Sequence, residues 1–264
     1  EASRFTADET KPTLRSVGFD MDELELTFVF DEPVSARNAP VSHITLQGNA
    51  TRIDGEYHTL SAASGSAVTS ISGTRQTVSL GKADADAVKL LLGVASNVRD
   101  SWVSIDAETW LDRSSRQNPA QQVLSTAAVR AVTYAADITQ PNLVSFALDL
   151  ESDTLDLTFD EPIAAGTLDV TGLTLSQYRT TEGSTFTLTN SSSVCKTAAC
   201  NGLTHRVYLS SADRGAINSD AHLAYDAYTT FALVTSKLVK DIAGNALTTL
   251  VSGAALAASS YSPD

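Results

Sequence analysis

An internal repeat constrains this chain more than any other feature. Laid on itself at an offset of 129 residues, LRSVGFDMDELELTFVFDEPV (Leu14 to Val34) falls over LVSFALDLESDTLDLTFDEPI (Leu143 to Ile163), and both blocks end in Phe-Asp-Glu-Pro. The same offset places VSHITL (Val41 to Leu46) over VTGLTL (Val170 to Leu175) and TVSLGKADADAV (Thr77 to Val88) over RVYLSSADRGAI (Arg206 to Ile217). A register kept across three separated blocks means that one supersecondary plan is used twice. The expected division is 1–138 and 139–264, with Gln140-Pro141-Asn142 as the turn-forming break.

Within each copy the pattern is β. Leu24, Leu26, Phe28 and Phe30 alternate with Glu25, Thr27 and Val29, and Leu155, Leu157 and Phe159 alternate with Asp156 and Thr158. A period of two with one polar face is that of an antiparallel strand half buried against a core. Val17, Phe19 and Met21, answered by Phe146, Leu148 and Leu150, give an earlier strand. Further short strands are expected at 44–46, 68–71, 77–80 and 102–105, and at 173–175, 186–188, 206–209 and 231–234. Separated by Gly, Ser, Asn and Asp clusters, they predict an all-β chain of two tandem antiparallel sandwiches. Short helical turns are expected from Ser210 and over 82–92.

The charge balance excludes one partner class. With 31 acidic and 18 basic side chains the chain carries a net charge of −13, which repels a phosphate backbone, so no nucleic acid is expected. No apolar run approaches the roughly 20 residues that span a bilayer, so no membrane insertion is expected either. A start at Glu1 without methionine is read as a processed protein or a fragment of a longer one.

The second copy closes with SKLVKDIAGNAL (Ser236 to Leu247). Its opening LTFDEPI and closing DIAGNAL resemble the bacterial Ig-like repeats of S-layer, adhesin and biofilm-type surface proteins, on Thr158, Phe159, Glu161 and Pro162, then Asp241, Ile242, Gly244, Asn245 and Leu247. The first copy keeps Phe30, Asp31, Glu32 and Pro33, but carries WLDRSSRQNPA (Trp110 to Ala120) at the closing motif, where Asp112 and Asn118 answer to it. The resemblance implies Ig-like sandwiches in an extracellular or cell-surface structural or adhesive protein. Its implied partners are neighbouring copies or further repeats of the same protein.

Read from the residues, these motifs are structural. Pro33 and Pro162 lack a backbone donor and are expected to end a strand or mark its edge. Asp31-Glu32 and Asp160-Glu161 are placed at the turns that follow. Asp241, Gly244 and Asn245 make a tight turn, with glycine at a left-handed position.

Candidate chemistry is sparse. Cys195 and Cys200, with no second pair and no histidine cluster, are expected to form a local disulfide, against two buried thiols. Asn49-Ala50-Thr51 and Asn190-Ser191-Ser192 are glycosylation sequons. His43, His58, His205 and His222 have no metal-ligand or catalytic spacing. Paired carboxylates offer a remote glycoside-active alternative, but adjacent residues of a strand point to opposite faces and cannot flank one bond. The expectation is no enzyme. Trp102, Trp110, Tyr225 and Tyr228 offer a surface-glycan platform as a further alternative. Calcium is the one cofactor considered, at Asp20 and Asp22 or at Asp149, Glu151 and Asp153, because alternate carboxylates on one strand face converge where the strand ends.

Overall fold

The computed structural model describes residues 6–37, 39–54 and 56–264 and divides the chain into two compact units, Glu1–Asp137 and Ile138–Asp264. Both are all-β sandwiches, with one α-helix each among the described residues. In the first unit the elements are β1 (Leu14–Asp20), β2 (Glu25–Val34), β3 (Ile44–Gln47), β4 (Tyr57–Thr59), β5 (Ala67–Val68), β6 (Gly73–Ser79), α1 (Lys82–Leu90), β7 (Trp102–Ile105), β8 (Val129–Arg130) and β9 (Thr133–Ala135). The second repeats them as β10 (Leu143–Asp149), β11 (Thr154–Ile163), β12 (Leu173–Ser176), β13 (Thr185–Thr187), β14 (Ser193–Val194), β15 (Gly202–Tyr208), α2 (Ser211–Ser219), β16 (Phe231–Val234), β17 (Leu256–Ala257) and β18 (Ser260–Ser262).

The sheets correspond one to one. The larger runs β5-β6-β2-β1-β9 in the first unit and β14-β15-β11-β10-β18 in the second; the smaller runs β4-β3-β7-β8 and β13-β12-β16-β17. Alternation sets the inner faces. Leu26, Phe28 and Phe30 of β2, and Leu155, Leu157 and Phe159 of β11, are buried while Thr27, Val29, Asp156 and Thr158 between them stay partly exposed. Each such ring or branched chain contributes about 1.5–3 kcal/mol on leaving water. Trp110 belongs to the first core alone, packed against Phe28 and Phe30 with centroids 4.9 and 5.2 Å away.

The hairpins β1–β2 and β10–β11 turn through Leu24 and Asp153, with φ of 55° and 56°, whose carbonyls accept from Leu80 and Leu209. Ser210 caps α2, its hydroxyl accepting from Asp213 N at 3.0 Å, as the sequence pattern requires.

Three features depart from the expected pattern. The Asp-Glu-Pro segments lie inside β2 and β11, not at turns. The β2–β6 pairing jumps from Val29↔Arg75 to Val34↔Gly73, and β11–β15 jumps between Thr158 and Ile163, so each segment bulges out of the ladder, where proline costs no hydrogen bond. The closing segment Ser236 to Leu247 forms no strand: Leu238 and Val239 are buried, but it pairs only through the isolated bridges Lys240↔Ala246 and Ile163↔Asp241. Each unit ends instead on a short strand parallel to its first, β9 on β1 and β18 on β10. That approach explains Gly18, where a β-carbon would meet the Thr133 hydroxyl at 2.4 Å.

Candidate functional site

The acids of the repeat motifs are held by the backbone around them. At the bulge of β2, Asp31 accepts from Thr13 N at 2.7 Å and pairs with Arg15 at 2.9 Å; the Thr13 N–H, then the Arg15 charge, holds its carboxyl below the usual range. Asp160 does the same in the second unit, accepting Asn142 N at 2.7 Å and Asn142 Nδ2 at 2.8 Å. Each clips the incoming chain to the strand beside it.

The closing turns correspond equally well. Asp241 Oδ1 accepts Gly244 N and Asn245 N at 2.6 and 2.7 Å, and Asn245 Nδ2 donates to its Oδ2 at 2.8 Å. In the first unit Asp112 Oδ1 accepts Ser114 N and Asn118 N at 3.0 and 2.9 Å, and Asn118 Nδ2 donates to its Oδ2 at 2.8 Å. Burial pushes the Asp112 carboxyl up, but these donors outweigh it and hold it low. The left-handed position before the asparagine is Gly244 (φ 100°) in one turn and Gln117 (φ 53°) in the other.

The isolated bridge Val34↔Asp112 brings this turn against the bulge. Asp8, Glu32 and Asp112 there offer carboxylate oxygens that all lie within 4.8 Å of one another. Glu161 and Asp241, the counterparts of Glu32 and Asp112, also approach within 4.8 Å, and both are buried. By sequence pattern Glu32 is a turn residue and Asp8 has no role. No local spacing joins positions 8, 32 and 112; the signal was the recurrence of an acid at both equivalent positions, 161 and 241.

The hairpin acids considered for calcium serve the turns. Asp20 Oδ1 accepts Asp22 N and Glu23 N at 3.1 and 3.0 Å, and Asp149 Oδ1 accepts Ser152 N at 3.0 Å. Asp153 pairs with Arg214 at 3.3 Å, and Glu151 is exposed.

A third pair of acids, Asp84 and Asp213, is buried in the first turns of α1 and α2. Asp84 accepts His58 Nε2 and Ser61 N, both at 2.8 Å, Ser66 Oγ at 2.6 Å, and Ser64 Oγ. Burial raises its carboxyl and these donors more than compensate, leaving it below the usual range. Asp213 accepts Thr189 N, Thr189 Oγ1 and Ser192 Oγ at 3.0, 2.8 and 2.6 Å.

Of the other candidates, Cys195 and Cys200 form a disulfide. Asn49 is exposed, its amide donating to Glu56 at 3.2 Å, and Asn190 is exposed. Trp110 is in the core and Trp102 lies under Arg130, whereas Tyr225 and Tyr228 are 72% and 85% exposed. Their loop is fixed: Thr229 Oγ1 accepts Tyr225 N and Asp226 N, and Asp226 Oδ1 accepts Tyr228 N. In the first unit Asp100 Oδ1 accepts Ser96 N and Asn97 N, and Asn97 Oδ1 accepts Arg99 N, so Ser96 and Arg99 stand where the tyrosines do. Among the described residues no helix is long and apolar enough to cross a membrane.

No protein-family model matches the chain, and no curated protein matches it. Among solved structures it is similar to the N-terminal part of the bacterial S-layer protein SbsC, at 16% identity with a TM-score of 0.28. That match covers 76% of this chain and 44% of the other, so the chain spans less than half the length of that relative.

Proposed function

We propose that this chain is a non-enzymatic structural segment of an extracellular or cell-surface protein, with neighbouring copies or further repeats as its partners. The observation that carries the reading is the duplicated use of the motif acids. Asp31 and Asp160 clip the incoming chain, Asp112 and Asp241 tie the closing turns, and Asp84 and Asp213 collect donors at the first turns of the helices. A catalytic pair is needed once and must be left free to react, whereas groups committed to the backbone in both copies make a building unit. The disulfide fits an oxidising compartment. Surface proteolysis and antibody labelling of intact source cells test the location, and sedimentation with electron microscopy of the purified chain tests the assembly. A protein confined to the cytoplasm, or one that stays monomeric at millimolar concentration without ordered assemblies, overturns the proposal.

One observation favours glycan binding as a second reading. The loop scaffold is common to both units, so the fold does not require the exposed Tyr225 and Tyr228, and rigid aromatic faces suit the apolar face of a sugar ring. A glycan array probed with the full chain tests this: hits must disappear in Y225A/Y228A, and an array without hits removes the reading.

A further inference from the structure

We infer that Asp8, Glu32 and Asp112 form a site for a hard divalent cation of calcium's class in the first unit. Two observations carry it together. The first is the convergence of three carboxylates, each offering an oxygen within 4.8 Å of the others, on segments that are remote in sequence. The second is the state of Glu32: the residue is half-buried, and its Oε1 is shielded from solvent and has no hydrogen-bond partner. A carboxylate oxygen taken out of water without a donor is costly, and a second and third carboxylate beside it add repulsion.

The surroundings supply positioning. The bulge of β2 carries Glu32 out of the ladder towards Asp112, which Ser114 and Asn118 orient from their side of the turn. Asn118 Nδ2 also donates to the Asp8 carbonyl at 3.0 Å, and the Asp8 side chain accepts Thr10 N at 2.9 Å. One asparagine therefore ties two of the three acid-bearing segments together. Arg116 is engaged with Glu9 at 2.6 Å, and Arg15 with Asp31 at 2.9 Å. An all-oxygen set of carboxylates suits calcium rather than zinc, and backbone carbonyls and water can complete its six to eight ligands. Affinities of about 10⁻⁴–10⁻³ M are typical of extracellular modules.

The test uses the full chain and a reporter confined to this unit, since both tryptophans, Trp102 and Trp110, lie in it. Melting followed by tryptophan fluorescence in EDTA, in about 10 mM calcium and in equal magnesium at fixed ionic strength, is compared for wild type, E32Q, D8N and the hairpin control D149N/D153N. The expected result is a calcium-selective rise in wild type and in the control, lost in E32Q and D8N. E32Q should also melt higher than wild type in EDTA, because the amide removes a charge from the trio while keeping its shape. D8N keeps the acceptor for Thr10 and covers the case in which E32Q does not fold. Calorimetric titration should show calcium binding at least about tenfold weaker in either variant. A fluorescence transition unmoved by calcium, or moved equally in E32Q and D8N, overturns the inference. A shift lost only in D149N/D153N assigns the ion to the hairpin and also overturns it.

Discussion

Replacing Asp84 with alanine gives the sharpest trial of the idea that buried acids hold each unit together. Asp84 is 3% exposed and is the common acceptor for one backbone N–H, two serine hydroxyls and the His58 ring. Its removal strands these donors at the first turn of α1, where losing one partner of a buried charged network costs about 3–5 kcal/mol. A domain's whole stability is about 5–15 kcal/mol, so the unit would be brought near its limit. In urea, with a slope of about 2 kcal/mol per molar, the tryptophan-monitored midpoint should fall by about 2 M. The paired variant D213A should leave that transition in place and weaken only the part of the circular-dichroism change that belongs to the second unit. The pH dependence follows from the lowered Asp84 carboxyl. A depressed folded value stabilises above the ordinary range, near pH 4, and that contribution is lost as pH falls through the folded value. Wild type should therefore lose more stability on acidification than D84A. A midpoint shift under about 0.5 M, or identical acid profiles, would refute the reasoning.

The other expectations concern turns, the tyrosine contacts and the disulfide. Gly244→Ala should destabilise the second unit by about 1–2 kcal/mol through backbone strain alone, because open space surrounds the added carbon; Gln117→Gly in the equivalent turn should be neutral or stabilising, and equal effects at both positions would contradict the shared turn geometry. Tyr134 and Tyr261, on the last strand of each unit, donate to the carbonyls of the left-handed Ala95 and Ala224, and phenylalanine at either should cost about 0.5–1.5 kcal/mol by urea titration. Burial, then Asp100 and Asp137, pushes the Tyr134 hydroxyl up to about 12, so an ultraviolet titration in which Y134F removes only a group ionising near 10 counts against its burial. Reduction should add two hydrogens to the intact mass, and C195S/C200S should lower stability by no more than about 2 kcal/mol, since the bridge closes a short loop; an unchanged mass denies the bridge.

Much of the fold was readable because the two copies constrain each other. The alternation at Leu26, Phe28 and Phe30 marked the inner face, and Ser210 with Asp213 marked the start of α2. The strands β9 and β18 were not readable: three residues with one half-buried tyrosine carry no period, and their parallel pairing is fixed by tertiary packing. The sequence places Phe30 and Phe159 on strands but Asp31-Glu32 and Asp160-Glu161 at turns, because proline signals a break without saying whether the break is a turn or a bulge. The Asp112 turn was readable only in part. Its longer loop, with Gln117 at the left-handed position, hides the glycine that identifies the second copy. The carboxylate trio was least legible, since tertiary contact alone joins Glu32 to Asp8 and Asp112.

The parallel pairing of first and last strands has a mechanical consequence. Gly18 to Asp20 lie against Thr133 to Ala135, and Ala147 to Asp149 against Ser260 to Ser262, so in each unit the chain comes in at one end of a strand pair and goes out at the other. Tension along the polypeptide then draws the two strands in opposite directions along their own length. Their hydrogen bonds must be sheared together and cannot be peeled open one after another, and Tyr134 and Tyr261, latched to Ala95 and Ala224, share the pull. Each unit thus places its greatest resistance between its own two ends, the direction in which a tethered chain is stretched.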